Sequence, residues 1–360
     1  MQATIAVLEG DAVGPEIMAE GLKVLEAIAE AGGHKVSLLR LPFGAGSYFA
    51  NGSCFPADTK QACDDADAIL KAPAGLPLDQ MDRIPVDQRP EPAILELRQR
   101  YTTFANYRPV VLPEALASFS PLRPELIAGG VDILMIRELV GGIYFGEKVE
   151  GEHTQQRRAS DECIYTAEEV EQVARVAFEE ARARGSRLTV VHKANVLATG
   201  RFWQKLVADL APSYADVEME FILVDNAAYQ LMINPRQFNG VMLLENMQGD
   251  ILSDQGGGIV GSLGLMCSAS IGPDKAYYEP VHGSAPDIAG TGTANPFSMI
   301  GSVALMLDRS FGLQSESQAV WDALWGALEA GERTADLCGD NETPLSTSEF
   351  GDAVVARLTP

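Results

Sequence analysis

The chain has 360 residues, 46% of them hydrophobic, which predicts two domains or one large α/β body with a sizeable core. Its 50 acidic against 27 basic residues give a formal charge of −23, which argues against nucleic-acid and anionic-membrane partners and leaves any anionic substrate to local arginines, lysines or a metal ion. The scattered cysteines (Cys54, Cys63, Cys163, Cys267, Cys338) form no Cys-x-x-Cys pair, the pattern of reduced thiols in a cytoplasmic protein, and no apolar run approaches the roughly 18 residues of a membrane helix.

In chain order, the apolar start lacks a basic leader and reads as a strand over 4–8, not a signal peptide. A helix over 16–31, strands over 35–41 and 66–70, and a proline-rich loop follow, the cadence of an α/β sheet. The middle continues with a strand over 132–136, an irregular polar stretch over 146–161 suited to an arm or inserted hairpin, and a charged helix over 166–184. Strands over 187–191, 217–224 and 240–244, with a helix over 197–210, complete the run. Gly256, Gly257, Gly258 and Gly261 mark a bend or close packing, since no lysine follows at phosphate-loop spacing.

Three chemically loaded places sit at or just past strand ends, where open α/β sheets present ligands. Lys193 is placed to act as a general base beside a cation, or is a solvated lysine at a helix start. Asp250 and Asp254, four apart, share one face if helical; with Asp225 they suit magnesium or manganese, although the same spacing describes a plain solvated face. Arg98, Arg108 and Arg137 offer guanidinium forks to a substrate with two carboxylates, or serve as ordinary ion pairs. Pro109 and the Gly141-Gly142 pair place the last two in turns or strand ends, and Tyr144 reads as a proton donor or a core aromatic. Further on, Gly283, Ser284 and Ala285 let backbone amides approach a cofactor, His282 and Asn295 suit a purine, and Asp287 suits ribose hydroxyls while repelling a 2′-phosphate, which favours NAD over NADP. A tight structural turn is the alternative there. The first strand is followed by Gly10-Asp-Ala-Val-Gly, not by the Gly-x-Gly-x-x-Gly of an ordinary Rossmann site.

These segments, with Phe104-Ala-Asn-x-Arg-Pro109, Ser120-Pro-Leu-Arg-Pro-Glu125, Arg137-Glu-Leu-x-Gly-Gly-Ile-Tyr-Phe-Gly146 and Glu91-x-x-Ile94-Leu95-x-x-Arg98, resemble the β-decarboxylating dehydrogenases, most of all their 3-isopropylmalate branch. The resemblance implies a two-domain isopropylmalate/isocitrate dehydrogenase-like α/β fold. Its cofactor-side domain would combine 1–103 and 261–360, and its dimerisation and metal-side domain would span 104–260, with an arm near 146–161. It implies a homodimer with shared active sites, Lys193 and Asp225 coming from the neighbouring subunit. Asp225, Asp250 and Asp254 would hold Mg2+ or Mn2+. Arg98, Arg108 and Arg137 would clamp the carboxylates of a small dicarboxylate, with Glu91, Ile94, Leu95 and Val196 around its tail. The apolar pair would give an isopropyl group a dry wall worth about 0.8 kcal/mol per buried CH₂. Lys193, Tyr144 and Asp225 would be catalytic, and Glu279 to Asp287 with Asn295 would bind NAD.

The implied reaction is NAD-dependent oxidative decarboxylation of 3-isopropylmalate to 4-methyl-2-oxopentanoate, as in leucine biosynthesis. Lys71-Ala-Pro-Ala-Gly75 and His192 are similar instead to the isocitrate and homoisocitrate members, while Ala12, Tyr107, Gln248 and 255–258 also depart from the branch pattern. An isocitrate, homoisocitrate, tartrate or malate substrate, or a catalytically silent structural or regulatory paralogue, are the alternatives.

Overall fold

The computed structural model describes residues 1–149, 151, 157–339 and 341–358. Among these the strands are β1 (Gln2–Leu8), β2 (Lys35–Leu41), β3 (Ala68–Lys71), β4 (Ala105–Leu112), β5 (Val131–Glu138), β6 (Lys148–Val149), β7 (Ser160–Asp161), β8 (Leu188–His192), β9 (Met219–Leu223), β10 (Gly240–Leu244), β11 (Cys267–Ile271) and β12 (Ala276–Pro280). They belong to two compact units. The first comprises Met1–Tyr101, Gly261–Ala269 and Pro273–Pro360, so both chain ends build it, and the second comprises Thr102–Val260 with Ser270–Gly272.

In the first unit the strand order is β2-β1-β3-β12-β11, with β1 parallel to both neighbours and β3 parallel to β12. Apolar residues of β1 and all of β3 are buried, as expected of parallel strands covered on both faces. The helix Gly14–Ala31 buries Ile17, Met18, Leu22, Leu25 and Ile28, a stripe at three- and four-residue spacing. Gly21 lets it cross the helix Phe297–Arg309 closely, since a Cβ there would stand 2.8 Å from Met299 Cγ. Phe297 packs on Trp325 of the helix Gln314–Glu329 at 4.8 Å between rings.

In the second unit the order is β4-β5-β10-β8-β9. β5, β10, β8 and β9 run parallel, which brings their carboxyl ends to one edge, and β4 runs antiparallel to β5. β8 and β10 are buried at every position. The helix Ala167–Arg184 begins at a capping box between Thr166 and Glu169 and ends at Gly185, whose φ of 59° suits a residue without Cβ. β6 and β7 pair as an antiparallel hairpin, while the tip of the expected arm lies outside the described residues.

Two local expectations are corrected. Pro109 is inside β4, opposite Leu134, rather than in a turn or at a strand end; an antiparallel ladder leaves alternate residue pairs without amide bonds across it, which accommodates a residue lacking an N–H. The glycines at 256–258 do not bend the chain, because the helix Asn246–Val260 runs through them. Close packing is their use at Gly256, where a Cβ would meet Val110 Cγ2 at 2.6 Å.

Candidate active site

The second unit gathers charge at the carboxyl edge of its parallel strands. Asn106 lies opposite Arg137 in the β4–β5 ladder and Arg108 is two residues on, so both arginines leave the same face of the sheet. The helix Asn246–Val260 covers that face. A Cβ at Gly249 would fall 2.7 Å from Arg137 Cγ, so the missing side chain is what lets the arginine stem pass beneath the helix. Arg137 is 1% exposed and pairs through Nη1 with Asp250, whose other oxygen accepts from Tyr144 at 3.0 Å. Arg108 donates to Asn106 and to Ser253, each at 2.6 Å, and its Nη1 stands 3.5 Å from Asp250 and 3.7 Å from Asp254. The structure thus brings Arg108, Arg137, Tyr144, Asp250 and Asp254 to one place.

Asp250 and Asp254, one turn apart, present hard oxygen donors to a common spot, a donor set that fits magnesium or manganese. Burial raises the Asp254 carboxyl above its ordinary range against the pull of Arg108, and the neighbouring Asp250 adds to the rise. Such a crowded pair is relieved by a divalent cation. Asp225 is elsewhere: it lies in the first turn of the helix Val224–Ile233 and accepts from Lys193 at 2.6 Å, which holds its carboxyl below the usual range. Among the described residues no three His, Cys, Asp or Glu side chains gather as a metal cluster, so Asp225 does not join Asp250 and Asp254 within one chain. Lys193 stands just past β8, with Val196 exposed in the turn that follows. His192 is buried behind it; its Nδ1 accepts from the Ala194 amide at 3.1 Å, its ring meets Phe221 edge-on, and burial lowers its pKa.

The turn carrying Tyr144 is held by Glu138, which is fully buried and accepts from the amides of Val140 at 2.7 Å and Gly141 at 2.9 Å. Burial pushes its carboxyl up to about 7 despite those bonds. Gly142, at φ 77°, must be glycine, since a Cβ would overlap the Tyr165 hydroxyl.

The first unit holds a cleft of 570 Å³ walled by Val13, Leu263, Gly264, His282, Gly283, Ala285, Ile288 and Asn295, with Asp336 at its side. His282 Nδ1 faces the Gly283 carbonyl, which can only accept, so Nε2 is left to accept from the Ser298 hydroxyl at 2.9 Å. Burial lowers its pKa, and the neutral ring follows. Asn295 spends its polar atoms on the protein: Nδ2 donates to Asp336 at 3.0 Å and Oδ1 accepts from the Phe297 amide at 2.9 Å. These bonds fix the plane of its amide at the cleft wall. Glu279, Ser284 and Asp287 are not among the wall residues. Glu279 is paired with buried Lys71, Ser284 Oγ donates to the Gly75 carbonyl at 3.2 Å, and Asp287 is exposed.

Asp11 and Asp336 were not singled out from sequence. Asp11 accepts from the amides of Ala45 and Gly46 at 2.8 Å and of Gly75 at 2.9 Å, tying the loop after β1 to the start of the helix Ala45–Asn51 and to the loop after β3. Asp336 joins Ser262, Thr334 and Asn295. Neither belongs to a spaced pattern, and only the carboxylate beside Gly10 offered any signal. Glu91, Ile94, Leu95 and Arg98 share one face of the helix Pro90–Arg100, opposite buried Ala93 and Leu97; Ile94, Leu95 and Arg98 are half-buried and Glu91 is exposed.

Residues 4–354 match the family model described as isocitrate/isopropylmalate dehydrogenase. The chain belongs to that family. It is 43% identical to a 3-isopropylmalate dehydrogenase of Symbiobacterium thermophilum, covering 98% of each chain, and 44% identical to one of Pseudomonas putida, covering 99% of each. Among solved structures it is similar to an isocitrate dehydrogenase from Methylococcus capsulatus, with a TM-score of 0.86, 30% identity and 99% of each chain covered. A decarboxylating dehydrogenase fold and an oxidoreductase chemistry follow from this membership. The five cysteines are free thiols, and among the described residues no helix is long and apolar enough to cross a membrane.

Proposed function

We propose that the chain oxidises and decarboxylates 3-isopropylmalate to 4-methyl-2-oxopentanoate, passing hydride to NAD with Mg2+ or Mn2+ bound. The observation that carries the reading is the convergence of Arg108, Arg137 and Tyr144 on the Asp250–Asp254 pair, in a chain 43% identical along its length to a protein named for this substrate. Arg98, Arg108 and Arg137 take the two carboxylates, and Ile94, Leu95 and Val196 receive the isopropyl tail near Glu91. Lys193 removes the proton from the C2 hydroxyl as hydride leaves C2 for the nicotinamide, and Tyr144 returns a proton to C3 once carbon dioxide has departed. The cation, held by Asp250, Asp254 and a neighbour's Asp225, would supply Lewis-acid stabilisation of the negative charge that develops on the C2 oxygen. In the first unit the cleft beside His282, Gly283 and Ala285 takes the adenosine half of NAD, with Glu279, Ser284 and Asn295 supporting its walls and Asp287 at the ribose.

A homodimer completes the site in this reading. Tyr229, Met232 and Ile233 on the helix Val224–Ile233 and Ile251 on the helix Asn246–Val260 are apolar yet exposed in the single chain, a surface suited to a second copy. Free thiols throughout suit a reducing cytoplasm.

Isocitrate or homoisocitrate is the second reading, favoured by Lys71 and His192. Both are buried in contacts of their own chain, Lys71 with Glu279 and His192 with Ala194 and Phe221, which weakens them as marks of a charged substrate tail. The test is absorbance at the reduced-nicotinamide band with NAD, magnesium and each of 3-isopropylmalate, isocitrate, homoisocitrate, tartrate and malate. The reading expects the highest kcat/KM with 3-isopropylmalate. Preference for a tricarboxylate supports the second reading, and silence with every acid would return a paralogue without catalysis.

A further inference from the structure

We propose that Asn246 is a positioning residue, which sets the plane of the Arg137 guanidinium for the substrate carboxylate and ties it to the turn that carries Tyr144. The inference rests on the reading of Arg137 as a substrate ligand. Asn246 opens the helix Asn246–Val260 and is 0% exposed. Its Oδ1 accepts from Arg137 Nε at 3.2 Å and from Nη2 at 2.8 Å, gripping one edge of the guanidinium, while Nη1 is turned to Asp250. Its Nδ2 donates to the Gly141 carbonyl at 2.9 Å, three residues before Tyr144. Its backbone amide donates to the Tyr165 hydroxyl at 3.0 Å, so the residue is held from both ends.

A neutral amide is the side chain such a grip requires. An aspartate at the same place would still accept from the arginine, but it would neutralise it, spending the charge meant for the substrate, and would set a carboxylate oxygen against the Gly141 carbonyl that Nδ2 now serves. Apolar side chains would leave two guanidinium donors buried without this acceptor. Gly249, three residues later, supplies the matching clearance: the arginine stem is threaded under the helix by one residue and oriented at its tip by the other. Asn246 touches no reacting atom in this scheme; it acts through Arg137.

The experiment is steady-state kinetics of the full-length protein with 3-isopropylmalate and NAD for Asn246→Ala, Asn246→Asp, Arg137→Met and the Arg137→Met/Asn246→Ala double variant, each checked by thermal melting. Asn246→Ala and Asn246→Asp are expected to raise KM for 3-isopropylmalate about tenfold to a hundredfold and to leave KM for NAD within about twofold. The double variant is expected to be no worse than Arg137→Met alone, because both losses run through one guanidinium. If Arg137→Met raises KM for 3-isopropylmalate and both Asn246 variants leave it unchanged, or if the two losses add, the positioning role is overturned while the site reading stands. If Arg137→Met itself changes nothing, the site reading fails and takes this inference with it. Should Asn246→Ala not fold, Asn246→Asp decides by the same readout; loss of the fold in both would make the residue structural and overturn the proposal.

Discussion

The cleft of the first unit and the charged cluster of the second are built by opposite means. The cleft is walled by small and apolar residues, Val13, Gly264, Gly283, Ala285 and Ile288, and its polar side chains His282 and Asn295 are bound to the protein itself. The cluster packs two buried arginines against two aspartates and a tyrosine hydroxyl. Shape and backbone suffice to seat a large cofactor, where many modest contacts share the affinity. Chemistry at one carbon needs fixed charges at defined places. Substitutions in the second unit should therefore strike turnover or the KM for the substrate, and those in the first should shift cofactor affinity by smaller factors.

The sharpest break of that contrast is Lys193→Met, expected to lower kcat about a thousandfold or more while the NAD dissociation constant, followed by fluorescence titration, barely moves. Near-normal turnover would remove Lys193 as the base. Next, Asp254→Asn should lower kcat/KM about a hundredfold and raise the magnesium concentration needed for half-maximal rate, because one of the hard oxygen donors proposed to hold the cation is weakened. An unchanged magnesium requirement would take Asp254 out of the metal site.

The second unit also bears a cost in stability. Glu138 has its carboxyl raised from 4.5 to about 7, so the native chain keeps a proton that the unfolded chain has released. Its contribution is complete below pH 4.5 and is lost as pH rises through about 7. Denaturant titrations across that window should show stability falling with pH, and Glu138→Gln should flatten the fall, by about 3 kcal/mol at its upper end. Equal slopes in both proteins would contradict it. The smallest effect belongs to the first unit: Asp287→Ala should reduce the preference for NAD over NADP about tenfold, measured as the ratio of the two kcat/KM values, with kcat for NAD little changed.

Much of this was legible in the chain because the informative residues sit in short patterns. Asp250 and Asp254 declare a shared helix face by spacing, β10 reads from 240–244 alone, and Gly141-Gly142 announces a turn. The remainder depends on partners remote in sequence. Asn246 lies inside the acidic motif, but its use appears only when Arg137, 109 residues earlier, folds beneath it. Asp336 gives no local signal, and its role comes from meeting Ser262 and Asn295. Asn295 has its amide plane set by Asp336, 41 residues further on, and by the start of the helix Phe297–Arg309. Pro109 misled for a local reason: its ring speaks against a strand unless the pairing partner is known.

The central claim is that one catalytic centre draws Asp250 and Asp254 from one protomer and Lys193 with Asp225 from the next. Co-expression of Lys193→Met and Asp250→Asn chains, each inactive alone, tests it directly with 3-isopropylmalate, NAD and magnesium. Random pairing of equal amounts should return about a quarter of wild-type activity per subunit, since half the dimers then contain one intact site of two. Activity no greater than that of either variant alone would show that each protomer works with its own lysine, and would contradict the account.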